Sequence, residues 1–311
     1  MKAMAVSKYL NGPERAFGAL ALFFSVLWPI VAVVKGVAIN LELTALALCL
    51  QVGLILIGLY FRIRLDSEKV ARLAISLGYY LIFVASVANL IEMRFPIDAL
   101  VLDPILQEID DAIGYKWSGV LAWLASWPGV GNVLAFIYNT SLLQLAFLMA
   151  VLALSGKDRT HYRFLTTAAV SLFLTVAIWM IWPSFGPAIS QTIPEDVVGK
   201  MTLVVGPEYQ TEMLRRVASG ATSVPPFTTL GLVAFPSYHT IMALLVVVYS
   251  WRTLVGLPLL LFNIPMLPAI LTQGAHYVSD VVAGFVVFLI SALIAKRLIV
   301  GPEKWDAVRT F

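Results

Sequence analysis

Long apolar runs make up most of this chain, and short polar segments separate them. A run of about 20 apolar residues can cross the hydrocarbon core of a bilayer as an α-helix. The pattern predicts about eight such spans, at residues 16–34, 43–61, 73–91, 133–154, 165–182, 239–255, 257–271 and 277–299. Pro265 and Pro268 interrupt the seventh span, and we expect them to kink it.

Two longer connections do not read as spans. Residues 92–132 mix acidic and apolar positions and carry Trp117, Trp123 and Trp127, which predicts an amphipathic stretch at the interface with tryptophans at headgroup level. Residues 183–236 are rich in Pro, Gly, Ser and Thr. We expect them to form a polar loop outside the bilayer.

Composition agrees with this pattern. Hydrophobic residues are 60% of the 311 positions and charged residues only 13%, whereas a soluble domain has about one quarter charged residues. The fold class predicted is therefore an all-α polytopic membrane protein. The net charge of +3 reflects topology rather than a partner, so we expect the bilayer and no nucleic acid. Cys49 is expected to be a small buried hydrophobe.

The basic residues predict how the chain is oriented. With eight spans and a cytoplasmic N-terminus, fifteen Lys and Arg residues lie inside and six outside. The six outer ones are Lys35, Arg94, Lys116, Lys200, Arg215 and Arg216. We therefore expect a multi-pass protein of the inner (plasma) membrane with both termini cytoplasmic.

Two of the three histidines lie in short motifs at the starts of predicted spans, FPSYHT at 235–240 and GAHYVSD at 274–280. Asp280 follows His276 by four residues, so the two side chains share one helical face. The topology brings His239 to the same outer depth. Ionisable groups at membrane depth are usually functional, although a polar pair that ties helices together is the structural alternative. His161 lies among basic residues, where we expect a solvated inner loop.

These motifs resemble the last two motifs of the type 2 phosphatidic acid phosphatase superfamily. The His-Tyr-x-x-Asp wording is closer to the branch of fungal inositol phosphorylceramide synthase, an inositolphosphotransferase, and WPSFGPA at 182–188 is similar to a Pro-rich segment of that branch. The resemblance implies a phosphatase-like catalytic bundle at 131–300. Accessory spans and the interfacial segment would form 1–130, and 301–311 would be a cytoplasmic tail.

The resemblance also implies roles for single residues. His276 would be the nucleophile that becomes a phosphohistidine, Asp280 would orient its ring, and His239 would be the general acid. Ser237 would bind a phosphate oxygen. Tyr238 stands with it at a helix start, where free backbone N–H groups bind phosphate. The family works without a metal, so no cofactor is expected.

This chain departs from the phosphatase pattern in its cations. No lysine and arginine precede a proline as in the family's first motif, Ile270 replaces the arginine before the last histidine, and Tyr238 replaces a glycine. Thr272, Gln273 and Gly274 could supply neutral donors, or Lys200, Arg215 and Arg216 could supply charge. These departures favour the transferase-like branch.

We therefore expect a phosphatase or phosphotransferase that acts on a lipid phosphate at the exoplasmic or periplasmic face. Its partners would be the lipid substrate and, in the transferase case, an alcohol acceptor. The alternative is a lipid-binding or lipid-transport protein that kept the fold and lost the activity. Release of free phosphate, with and without added alcohols, separates the two enzymatic versions.

Overall fold

The computed structural model describes residues 9–97, 101–195, 197–220, 223–224 and 231–300. The tail predicted at 301–311 lies outside these residues. In chain order the elements are α1 Gly12–Lys35, β1 Ala38–Ile39, α2 Leu41–Arg64, α3 Glu68–Glu92, α4 Asp103–Ala112, α5 Trp117–Leu124, α6 Pro128–Asn139, α7 Ser141–Leu154, α8 Asp158–Ile181, α9 Pro187–Ser190, α10 Pro207–Ser219, β2 Ser223–Val224, α11 Tyr238–Ser250, α12 Gly256–Asn263, α13 Met266–Gln273 and α14 Val278–Leu298. The two short strands pair in parallel, with Ala38 opposite Ser223.

The described residues contain six helical segments long and apolar enough to cross a membrane, which confirms the all-α polytopic fold class. They are α1, α2, α3, α8, α12 with α13, and α14. The predicted fourth and sixth spans are shorter. The fourth is divided at Thr140 into α6 and α7, and α11 has 13 residues, or about 20 Å of helix. The seventh is broken at Ile264 and Pro265, where its prolines predicted a kink.

Side-chain contacts gather the predicted inner and outer connections at opposite ends of the bundle. At the end predicted to be the inner one, Arg62 pairs with Glu14 at 2.8 Å, and Arg72 pairs with Asp158 at 2.7 Å. At the opposite end, predicted to be the outer one, Lys35 donates to the carbonyl oxygen of Met93 at 2.6 Å. In α1 to α3 and at the start of α8 the chain therefore alternates between the two ends.

The core forms where α3, α7, α8, α11 and α14 pack together around Leu148, Leu152, Phe164, Ile241 and Leu245. Small residues allow close approach at two crossings. A Cβ atom on Gly58 of α2 would meet the carbonyl oxygen of Ala71 in α3 at 2.9 Å, and a Cβ atom on Gly284 of α14 would meet that of Ser237 at 2.5 Å. The second crossing fixes the start of α11 against α14.

Three placements differ from the sequence predictions. His161 is buried in α8 with its Nε2 atom 2.9 Å from the hydroxyl of Ser76, because α8 starts at Asp158 and draws the residue into the bundle. Trp117 is fully buried instead of lying at headgroup level, whereas Trp123 and Trp127 are exposed. Cys49 is exposed on α2, the candidate span with the least buried surface.

Candidate active site

His276 and Asp280 meet at the start of α14. The carboxylate oxygen Oδ2 of Asp280 lies 3.1 Å from Nδ1 of His276 and accepts the backbone N–H of Tyr277 at 2.9 Å. His276 itself precedes the helix, so the contact arises because the Asp280 side chain turns back toward the helix N-terminus, and not from a shared helical face. A carboxylate accepts hydrogen bonds, so Nδ1 carries a hydrogen, and in the neutral form of the ring the lone pair is then on Nε2.

Ser237 stands on the other side of this imidazole. Its Oγ atom is 3.4 Å from Nε2 of His276 and accepts the backbone N–H of Thr240, which makes Ser237 the N-cap of α11. The backbone N–H of Ser237 donates to the carbonyl oxygen of Asp280 at 3.0 Å. A backbone hydrogen bond thus joins the two histidine motifs directly.

His239 lies in the first turn of α11, with its ring centre 6.2 Å from that of His276. Tyr138 of α6 stacks on it at 4.0 Å, and the Tyr138 hydroxyl is 3.0 Å from Nδ1 of His239. Within the described residues the Nε2 atom of His239 has no hydrogen-bond partner, which leaves it for contact with a bound group. The convergence of the two motifs is as predicted, whereas no sequence signal marked Tyr138.

A cavity of about 1160 Å³ joins these groups. Both histidines and three of the predicted substrate-binding residues, Tyr238, Gly274 and Arg216, contribute to its wall. A Cβ atom on Gly274 would stand 2.7 Å from the Tyr138 ring and 2.9 Å from the His276 ring. Position 274 therefore requires glycine, because both rings lie too close to its backbone to leave room for a side chain.

The other predicted binding residues are placed differently. Thr272 donates its hydroxyl to the carbonyl oxygen of Pro268, and Gln273 donates to Gly131 and accepts from the backbone of Val204. Both side chains are used in packing the bundle. Arg215 is exposed and pairs with Glu212. Lys200 lies on a turn between Gly199 and Met201, which line the cavity, but is not itself one of the lining residues.

Arg216 is the predicted cation that reaches the cavity. It pairs with the buried carboxylate of Glu92, and its Nε donates to Glu212 at 2.7 Å. The guanidinium groups of Arg215 and Arg216 lower the pKa of Glu212 to about 2. The cation is thereby held at the cavity by two carboxylates.

Two buried acids of α4 support the site, and the sequence prediction of a purely interfacial stretch missed them. Asp103 accepts the backbone N–H groups of Phe185 and Gly186 at 3.0 and 2.8 Å, and Asp110 accepts that of Val278 at 3.0 Å. Burial raises the pKa of Asp103 to about 6. Their seven-residue spacing, two helical turns, was the available signal that they share a face.

Within the described part of the chain, no group of three or more His, Cys, Asp or Glu side chains is arranged to hold a metal ion.

The sequence model of a family described as the PAP2 superfamily matches residues 104–294, more than half of the chain. The match includes both histidine motifs and most of α4. No curated protein and no solved structure shows significant similarity to this chain.

Proposed function

Because the chain belongs to the PAP2 superfamily, whose members are phosphatases, we propose that it cleaves or transfers a lipid phosphate ester through a phosphohistidine at His276. The observation that carries this proposal is the contact of His276 with both Asp280 and Ser237 at a cavity that His239 also lines. The superfamily predicted from the motifs is confirmed, and the inositolphosphotransferase branch stays a prediction.

The proposed first step uses the lone pair of His276 Nε2. It attacks phosphorus, the N–P bond forms, and the bond from phosphorus to the leaving alkoxide breaks. Protonated His239 gives its proton to the alkoxide oxygen, so the alcohol leaves neutral. Asp280 stabilises the positive charge that His276 acquires, which is the role of a carboxylate behind a catalytic imidazole.

The second step reverses the proton transfer. Neutral His239 takes a proton from water or from an acceptor alcohol, whose oxygen attacks phosphorus as the N–P bond breaks. Water gives inorganic phosphate, and an alcohol gives a new phosphate ester. Backbone N–H groups in the first turn of α11, the Ser237 hydroxyl and Arg216 are the groups that we propose for the phosphate oxygens.

We place this chemistry at the exoplasmic face of the inner (plasma) membrane, with both termini cytoplasmic, because the positive-inside count supports that orientation. We propose that the catalytic unit begins with α4 rather than near residue 131, because Asp103 and Asp110 hold segments of the site. Helices α1 to α3 then form the accessory unit.

The test uses purified protein in lipid vesicles with a panel of lipid phosphates. Wild type and His276→Ala are compared, with and without added alcohols. A phosphatase releases phosphate in either case, and a phosphotransferase forms a new ester only with the alcohol. Equal turnover, or lipid binding without turnover, in both proteins would contradict the proposal and favour the inactive lipid-binding alternative.

A further inference from the structure

Helix α4 has three faces that differ in burial and polarity. Asp103, Leu106 and Asp110 are buried against the protein. Ile105 and Ile109, together with Ile113 directly after the last turn, form an exposed apolar stripe, with exposed fractions of 50%, 47% and 62%. Glu108 and Asp111 lie exposed on the remaining polar face. A helix with protein, apolar and aqueous faces is suited to the edge of a bilayer.

The buried face of α4 is hydrogen-bonded to two segments that lie next to His276 in space. Asp110 caps the N-terminus of α14 through Val278, and Asp103 holds Phe185 and Gly186. Gly186 in turn lies against the carbonyl oxygen of Ala275, the residue before His276. A movement of α4 would therefore be passed from two sides to residues 274–277, the loop that contains His276 and is called the His276 loop below.

The segment after α4 makes two further hydrogen bonds to the last turn of α13, which directly precedes the His276 loop. The hydroxyl of Tyr115 donates to the carbonyl oxygen of Leu271, and the indole of Trp117 donates to that of Thr272, each at 3.1 Å. Ala275 has a φ of 47°, in the left-handed region that costs free energy for a residue with a side chain. Such a conformation persists where its surroundings fix it, and residues 103–117 bond to the segments on both sides of Ala275.

The position of α4 in the fold indicates that the isoleucine stripe faces lipid. Asp110 accepts a hydrogen bond from the first residue of α14, a candidate membrane span. Helix α4 therefore lies beside the N-terminal end of that span, where the span meets the membrane surface. Exposed Trp123 and Trp127 follow in the next turns of the chain, and tryptophan is typical of the headgroup region. The stripe and these two rings fit the boundary of the leaflet next to the site.

We propose that α4 is a membrane-coupled positioning helix: its isoleucine stripe enters the lipid leaflet, and its carboxylate face sets the geometry of the His276 loop. The catalytic part of this inference rests on the proposed function, whereas the lipid contact does not. Asp103 and Asp110 are positioning residues here, because they act on His276 through the backbone of neighbouring segments.

The lipid contact is tested by spin-label depth in vesicles. Cys49 is exposed, so Cys49→Ser is the background, and labels are attached at Ile109→Cys or, as the matched control one residue away, Glu108→Cys. We expect the label at 109 to be more accessible to oxygen and the label at 108 to a water-soluble nickel chelate. Equal aqueous accessibility, or spin–spin broadening from a second copy at 109, would overturn the proposal.

The positioning role is tested by kinetics in the same vesicles. We expect Asp110→Leu to lower kcat about tenfold or more with little change in KM, because small displacements of a reacting group cost rate, and Asp110→Asn to recover most of it by keeping an acceptor. Ile109→Ser with Ile113→Ser should lower kcat as well, whereas Leu46→Ser with Leu50→Ser on α2 should not.

The two tests fail separately. Unchanged kcat in Asp110→Leu or in the isoleucine variant, with an active wild type, would overturn the positioning role. An inactive wild type with the expected label depths would instead contradict the proposed function and leave the lipid contact supported.

Discussion

Gly186 lies directly against Ala275: a Cβ atom on Gly186 would stand 2.1 Å from the carbonyl oxygen of Ala275. Gly186 also has a φ of 83°, in the region that favours glycine, and its N–H is bonded to Asp103. The Pro-rich segment at 182–188 therefore touches the loop of the proposed nucleophile. A side chain at this position would push one of the two segments away.

We expect Gly186→Ala to reduce turnover strongly, because the methyl group must displace the backbone next to His276. An effect of about 100-fold corresponds to a displacement near 1 Å at a reacting group. Gly53→Ala on α2 is the control, since a Cβ atom there meets nothing within 4 Å. Near-normal turnover in Gly186→Ala would show that the contact does not position the loop.

Asp280→Asn tests how the carboxylate acts on His276. The amide keeps an oxygen acceptor but can also present its N–H₂ group to Nδ1 and so favour the wrong tautomer. In serine protease triads the equivalent change lowers kcat by about 10⁴-fold, and we expect a loss of roughly 10³-fold or more here. Turnover within a few-fold of wild type, at unchanged thermal stability, would argue that Asp280 only caps α14.

His239 and Tyr138 give a prediction about leaving groups. A general acid matters most for a basic leaving alkoxide, so His239→Gln should slow a natural lipid ester far more than a substrate with an acidic phenol as leaving group. Tyr138→Phe removes the hydroxyl 3.0 Å from Nδ1 and keeps the stacked ring. It should show the same trend with a smaller effect. Equal losses for both substrates in His239→Gln would remove His239 from this role.

Asp103 predicts how stability depends on pH. Its pKa is raised by burial from 3.8 to about 6, so between these values the folded state holds a proton that the unfolded state has lost. The free energy of unfolding then falls as pH rises through this window, by at most about 1.4 kcal/mol per pH unit for one proton. Asp103→Asn should flatten that part of the profile. Denaturation in detergent at pH 4 to 7 measures the difference, and identical profiles would contradict it.

The spans and the site motifs were predictable because they are local. Apolar runs mark α1, α3 and α14, and an aspartate four residues after a histidine marks the pair at the start of α14. The meeting of His239 and His276 followed from counting spans, since an even number of crossings returns the chain to the same face.

The supporting residues were not predictable, because their roles depend on contacts between distant segments. Tyr138 reaches His239 across about a hundred positions of the chain, and Asp103 reaches Gly186 across more than eighty. The burial of His161 could not be read from its basic neighbours, because its partner Ser76 lies 85 positions earlier in the chain, on α3.

The most direct test of the central claim is to trap the phosphoenzyme. Wild type and His276→Asn, reconstituted in vesicles, are mixed with a lipid phosphate labelled on phosphorus, quenched in base and digested. The account predicts an acid-labile, base-stable label on the peptide that contains residue 276 in wild type and no label in the variant. A variant that retains the label, or an active wild type labelled on a different residue, would contradict it.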